Sequence, residues 1–136
     1  MVNEVDFISI HTYPVWEYKT IDESLEFTKQ NYRAVAEKYP NKLVVITEAG
    51  WAISSNDQGI PRAHVNQIFQ KIYYQDLSAW CKEDHILTFV FEAFDEPRKG
   101  SPDPDESEKH WGLYFENRTP KLAFSDRGDY KQSFTA

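Results

Sequence analysis

Leu43-Val44-Val45-Ile46-Thr47-Glu48-Ala49-Gly50-Trp51 decides the reading of this chain. Four apolar residues run without alternation, and three of them are β-branched. Such a run reads as a strand buried on both faces, here over Leu43–Thr47. A carboxylate, Glu48, stands directly at its end. Two more runs of the same kind flank it, Val5–Ile10 and Ile86–Phe91. Between the first two lies Thr20-Ile21-Asp22-Glu23, the pattern of a capping box, in which Thr20 and Glu23 satisfy each other's free backbone donors. Leu25, Tyr32, Val35, Ala36 and Tyr39 then recur at helical spacing, and Pro40 closes the segment. After Glu48 comes a polar loop. Pro61 suits the first turn of a second helix, whose apolar face is Val65, Ile68, Phe69, Ile72, Tyr73, Leu77 and Trp80. The order strand–helix–strand–helix–strand, with continuous apolar strands, predicts an α/β fold with parallel pairing. The period is about 40 residues, one βα unit of a barrel or a doubly wound sheet.

Size and charge narrow the possibilities. The 136 residues suffice for one domain, whereas a closed eight-unit barrel takes roughly 250. Residues 1–124 read as that domain and 125–136 as a polar tail. Trp111–Phe115 and Lys121–Phe124 are short apolar pieces around a turn, suited to an added hairpin or edge strand. The net charge of −7 argues against nucleic acid and against anionic membranes as partners, since both demand a basic face. No apolar run is long enough for a membrane-spanning helix. Cys81 is the single cysteine, which excludes an intrachain disulfide framework. His11, His64, His85 and His110 show no metal-ligand spacing, so neither metal nor cofactor is expected. Asp103, Asp105, Glu106 and Glu108 read as a solvated acidic loop, because Pro102 and Pro104 interrupt any calcium-loop spacing. Met1–Asp6 lacks the cationic start and apolar stretch of a secretory signal.

Ligands of parallel α/β folds bind beyond the carboxyl ends of the strands. Those ends carry His11, Tyr13 and Trp16 after the first strand, and Glu48 and Trp51 after the second. Glu92, Asp95, Glu96 and Lys99 follow the third. Carboxylates transfer protons and stabilise oxocarbenium charge, and flat aromatic rings suit the apolar face of a sugar. The set therefore fits glycoside chemistry. It fits phosphate chemistry poorly, for there is no glycine-rich loop and no Gly-Lys-Ser/Thr.

Four linked stretches carry a resemblance. They are Val5-Asp-Phe-Ile-Ser-Ile-His-Thr-Tyr-Pro14, Ile46-Thr-Glu-Ala-Gly-Trp51, Phe91-Glu-Ala-Phe-Asp-Glu-Pro-Arg-Lys99, and His110-Trp-Gly-Leu113 with Arg118-Thr-Pro-Lys121. In this order, over about residues 2–124, the chain resembles glycoside hydrolase family 17, the β-1,3-glucanases and glucan transglycosylases, and most of all the bacterial laminarin-degrading members. The resemblance implies a partial (β/α)8 TIM barrel, about three βα units equivalent to strands six to eight. It implies a retaining mechanism with Glu48 as nucleophile. His11 and Tyr13 would contact the sugar or Glu48, and Trp51 would stack on a glucosyl ring. Asp95, Glu96 and Lys99 would organise the nucleophile and the substrate hydroxyls, with Glu92 also facing the cleft. It further suggests a secreted or periplasmic protein.

Three departures stand against that pattern. Arg98 stands where bacterial members often have Trp, and Ala52 where Pro often follows Gly-Trp. The third is an absence. The family's general acid/base is a Glu in an Asn-Glu pair on strand four. The only Asn-Glu here is Asn3-Glu4, which precedes the first strand. A retaining enzyme needs two carboxyl groups about 5 Å apart. The second would come from another chain, from a further segment, or from Glu92. Three adjacent barrel strands also leave two open edges and an uncovered inner face rich in Phe and Ile. Such surfaces associate. The expected partners are a β-1,3-glucan oligosaccharide and either a second copy, as a homodimer, or a complementary barrel half. The alternative is a fragment that binds β-glucan, or serves a structural role, without turnover.

Overall fold

The computed structural model describes residues 1–125, so the polar tail expected over 125–136 lies, but for Ser125, outside the described residues. Three strands form one parallel sheet in the order β1 (Phe7–Thr12), β2 (Leu43–Ala49), β3 (Thr88–Val90). Helix α1 (Ile21–Lys38) joins β1 to β2, and α2 (Gln67–Glu83) joins β2 to β3. The capping box forms at α1, where Glu23 accepts from the Thr20 backbone at 2.9 Å. The expected start of α2 at Pro61 is wrong. Pro61 leads into a short 3-10 turn, Arg62–His64, and the helix begins only after Asn66. The Asn66 carboxamide accepts from Phe69 N at 2.7 Å and so caps the helix, a stronger start signal than a proline five residues upstream. Ile68 and Ile72 lie on the exposed flank of the expected stripe, while Tyr73, Leu77 and Trp80 form its buried centre.

The core lies between the helices and one face of the sheet. Ile46 and Ala49 from β2 meet Tyr73, Leu77 and Trp80 from α2, with Trp51, Ile60 and Trp111 above them. Its α1 side is sealed by small hydroxyls. Ser24 and Thr28 are fully buried, and the Thr28 hydroxyl bonds Ser24 O at 3.0 Å and the Tyr73 hydroxyl at 2.8 Å. Buried hydroxyls of this kind are tolerated because they are paired.

The other face is open, which corrects the expectation of strands buried on both faces. Phe7, Leu43 and Phe89 are each about half exposed, at 49%, 59% and 55%. Phe7 pairs with Leu43. Phe89 lies between Thr88 and Val90, whose pairing partners Ile46 and Ala49 face the helices. The uncovered face is therefore Phe- and Leu-bearing. The expectation of an inner face rich in Phe and Ile holds for Phe, whereas Ile10 and Ile46 pack into the helical layer. Both β1 and β3 are edge strands among the described residues. Around Glu116–Thr119 the chain makes a small hairpin, with Phe115 N bonded to Thr119 O at 2.9 Å and Lys121 N to Leu113 O at 3.0 Å. Leu122–Ser125 forms a helical turn, α3, rather than a strand. No described helix is long and apolar enough to cross a membrane.

An open apolar face beside two free edges predicts association. Light scattering on the purified chain should give a mass above the monomer's 16.0 kDa, and Phe7→Glu with Phe89→Glu should lower it. A stable monomer at all concentrations would remove this expectation.

Candidate active site

Glu48 owes its direction to a β-bulge. Ile10 pairs with Ile46, but His11 pairs with Glu48, so Thr47 is one residue extra. Side chains alternate along a strand. Without the bulge Glu48 would follow Ile46 into the helical layer. With it, Glu48 shares the open face with His11. Ala49 returns to the helical side opposite Thr12, and both are buried.

Two side chains grip the carboxylate. The Tyr13 hydroxyl donates to Glu48 Oε2 in a short hydrogen bond, and His11 Nδ1 lies 3.3 Å from the same oxygen. Burial and the Glu48 hydrogen bond push the Tyr13 phenol far above its ordinary range, so it stays a proton-bearing donor. The Glu48 side chain remains about one-third exposed, at 35%. It opens into a cleft of about 360 Å³ walled by Tyr13, Trp16, Phe91 and Trp111, with Lys99 and Glu108 at its rim. The rings brace one another edge to face, Tyr13 to Trp111 at 5.2 Å and Tyr13 to Phe91 at 5.8 Å between centroids. Trp16 stacks on Trp111 at 6.3 Å. A larger cavity of about 480 Å³ lies among Pro97, Pro102, Pro104 and Phe115, apart from Glu48.

The structure gathers some expected site residues and separates others. His11, Tyr13 and Glu48 meet directly. Glu92, Glu96 and Lys99 form one cluster, with Lys99 Nζ 3.5 Å from Glu92 Oε1 and 3.2 Å from Glu96 Oε1. Trp51 does not reach the cleft. It is only 1% exposed, its indole N–H donates to His64 O at 3.0 Å, and its ring packs on Tyr73, so it has no free face for a sugar. Asp95 also turns away. Its carboxylate accepts from the fully buried Lys121 ammonium at 2.6 Å and from Gly112 N at 2.9 Å, and it ties the segment after β3 to the hairpin.

Four cleft residues, Trp16, Phe91, Glu108 and Trp111, carry no role among the expected site residues. Trp16 was visible at the first strand end but carried no role. Trp111 lay in a stretch used only for the resemblance. Glu108 corrects the reading of an acidic solvated run. The 3-10 turn Ser107–Lys109 detaches it from Asp103 and Asp105 and brings it to the cleft. No spacing rule could have found it, because the buried Lys109, donating to Pro97 O and Lys99 O, folds that loop back. Among the described residues no group of three His, Cys, Asp or Glu side chains is placed to hold a metal ion.

A carboxylate raised on a parallel strand end, oriented by a phenol and an imidazole, and set among aromatic rings is the layout of an α/β glycoside hydrolase. The chain belongs to the BtgE/BtgC glycoside hydrolase domain family, whose model matches residues 1–112. A glucan 1,3-β-glucosidase of Arthroderma benhamiae is 28% identical over 130 residues, 87% of this chain and 42% of that protein. The endo-laminarinase of Formosa Hel1_33_131 superposes with a TM-score of 0.83 and 27% identity, over 96% of this chain and 40% of that one. The glycoside hydrolase family 17 β-1,3-glucanosyltransferase of Rhizomucor miehei gives 0.77 and 29%, over 90% and 43%. An active-site mutant of the Rhizomucor enzyme is known in complex with laminaritriose. The likeness to family 17 read from the four stretches thus holds. The chain spans about two fifths of the length of these relatives, and its three parallel strands are a partial barrel.

The Asp95–Lys121 pair yields a stability prediction. Lys121→Met strands a buried carboxylate and should cost about 3–5 kcal/mol in urea denaturation. The double variant Asp95→Asn/Lys121→Met should cost less than the single one, because no charge is then left unpaired.

Proposed function

We propose that this chain supplies the nucleophile side of a retaining glycoside hydrolase acting on β-1,3-glucan. The observation that carries the reading is the carboxylate of Glu48, turned by the bulge onto the open face and held by Tyr13 and His11. In the proposed reaction a Glu48 oxygen bonds to the anomeric carbon, and the glycosidic C–O bond breaks. The departing oxygen takes a proton from a general acid. Water or an acceptor hydroxyl, giving its proton to the now deprotonated acid, then displaces Glu48 and regenerates the carboxylate. Tyr13 and His11 orient the attacking oxygen, and Trp16, stacked on the buried Trp111, offers ring surface beside it. We assign the acid to barrel units that complete the open face, since the relatives are more than twice as long as this chain. The same units, or a second copy of the chain, would cover Phe7, Leu43 and Phe89.

One observation favours a second reading, binding to β-glucan without turnover. The only Asn-Glu pair, Asn3-Glu4, sits in a 3-10 turn ahead of β1 rather than at a strand end. The two readings separate in one experiment. Laminarin is incubated with the chain and new reducing ends are counted, while affinity electrophoresis measures binding. Turnover that Glu48→Gln abolishes supports the nucleophile. Turnover that survives Glu48→Gln removes Glu48 from the mechanism, and binding without turnover favours the second reading only where an activated glycoside that needs no general acid also leaves Glu48 unlabelled.

A further inference from the structure

Trp16, which walls the Glu48 cleft, rests against two surfaces that do not give way. On one side its indole stacks on Trp111, with 6.3 Å between centroids and 27° between planes, and Trp111 is itself only 1% exposed. On the other, the benzo edge of the indole meets Gly59, in the loop between β2 and α2. A Cβ on Gly59 would lie 2.4 Å from Trp16 Cζ3, 3.3 Å from Cε3 and 3.4 Å from Cη2. The indole can lie where it does only because position 59 carries no side chain.

The loop is held in place behind the glycine. Ile60 is fully buried in the core, and its carbonyl accepts from the Ser55 hydroxyl at 2.6 Å. Ser55 Oγ accepts from Asp57 N at 3.0 Å, and the Asp57 carboxylate accepts from Arg62 N at 2.6 Å. The Trp16 backbone is held too. Its N–H donates to Tyr13 O at 3.0 Å, in the turn Pro14–Glu17 that also contains the fully buried Val15. With Trp111 behind the ring and both backbones fixed, a ring pushed off Gly59 turns toward the cleft that it borders.

We propose that Gly59 is a positioning residue for the Glu48 cleft: it lets Trp16 lie back on Trp111 and so keeps open the space beside Glu48 that a glucosyl unit would fill. This inference rests on the glucan reading of the cleft. The loop after β2 thus shapes the site without lending it a side chain. Any side chain at position 59 drives the indole into the space for the sugar. Gly59 also stands at φ +83°, in the left-handed region, so a substitution there strains the backbone as well. A useful test must separate that strain from the movement of the ring.

Two readouts on the full chain do so. NMR contacts between the ring protons of Trp16 and Trp111 report where the indole lies, and calorimetry reports laminaritriose affinity. Gly59→Ala should weaken the ring contacts and lower the affinity about threefold to tenfold, the worth of one aromatic contact. In a Trp16→Leu background, where the shorter side chain does not reach position 59, the same substitution should leave the affinity unchanged. The strain shows instead as a lowered urea midpoint in both backgrounds. Gly59→Asn, whose side chain tolerates the left-handed backbone better, repeats the test with less strain and the same Cβ. The proposal is overturned if the Trp16–Trp111 contacts are the same in both Gly59 variants, or if laminaritriose affinity does not fall. It is overturned equally if Gly59→Ala weakens binding to the same extent with and without Trp16. No laminaritriose binding by the unmodified chain contradicts the glucan reading instead, and the ring contacts still decide whether Gly59 sets the place of Trp16.

Discussion

One extra residue in β2 sets the direction of everything chemical in this molecule. The pairing steps from Ile10 opposite Ile46 to His11 opposite Glu48, and Thr47 is left over. Burying Glu48 among Ile46 and the α2 aromatics would cost several kcal/mol without a compensating partner, on the order of 2–7 for a polar group and more for a charge. The bulge avoids that cost and gives the carboxylate two partners on the open face. Its other consequence is structural. Ala49 returns to the core, and Gly50 then passes so near the Phe91 carbonyl that a Cβ there would overlap it. Phe91 N in turn bonds Ala49 O at 2.8 Å. The Glu48 carboxylate and the cleft wall are thus positioned by the same few backbone atoms.

The sheet divides its labour by face. Toward the helices it is a dry core of β-branched and aromatic side chains. Away from them it carries the Glu48 cleft at the carboxyl ends and bare Phe and Leu lower down. In a closed barrel that lower surface is packed by residues from the other strands. Membership of a glycoside hydrolase family and coverage of about two fifths of its relatives account for both features together. The chain has a complete helical layer, three strands, and one wall of a cleft.

Much of this was legible from pattern. Strands one and two were located because β-branched runs have few alternatives. The α1 start was located because Thr20 and Glu23 form a local, self-contained hydrogen-bond exchange. Glu48, Tyr13 and His11 were legible as strand-end residues. The misses share a cause, which is that tertiary packing decided them. Trp51 looks identical in sequence whether its ring faces a sugar or Tyr73. Asp95 and Glu96 are adjacent, yet the buried Lys121 captures one and Lys99 the other. Glu108 reads as loop until the Ser107–Lys109 turn returns it to the cleft. The bulge itself left no sequence signal, since Ile-Thr-Glu-Ala reads equally well as a regular strand.

The most direct test of Glu48 needs no general acid. A fluorosugar glycoside of laminaribiose with a dinitrophenolate leaving group departs unaided, so a nucleophile alone suffices to trap the glycosyl group. After incubation and peptic digestion, mass spectrometry should find the added sugar on the peptide containing Glu48, and Glu48→Gln should abolish it. An unlabelled chain, or a label on any other carboxylate, would contradict the account.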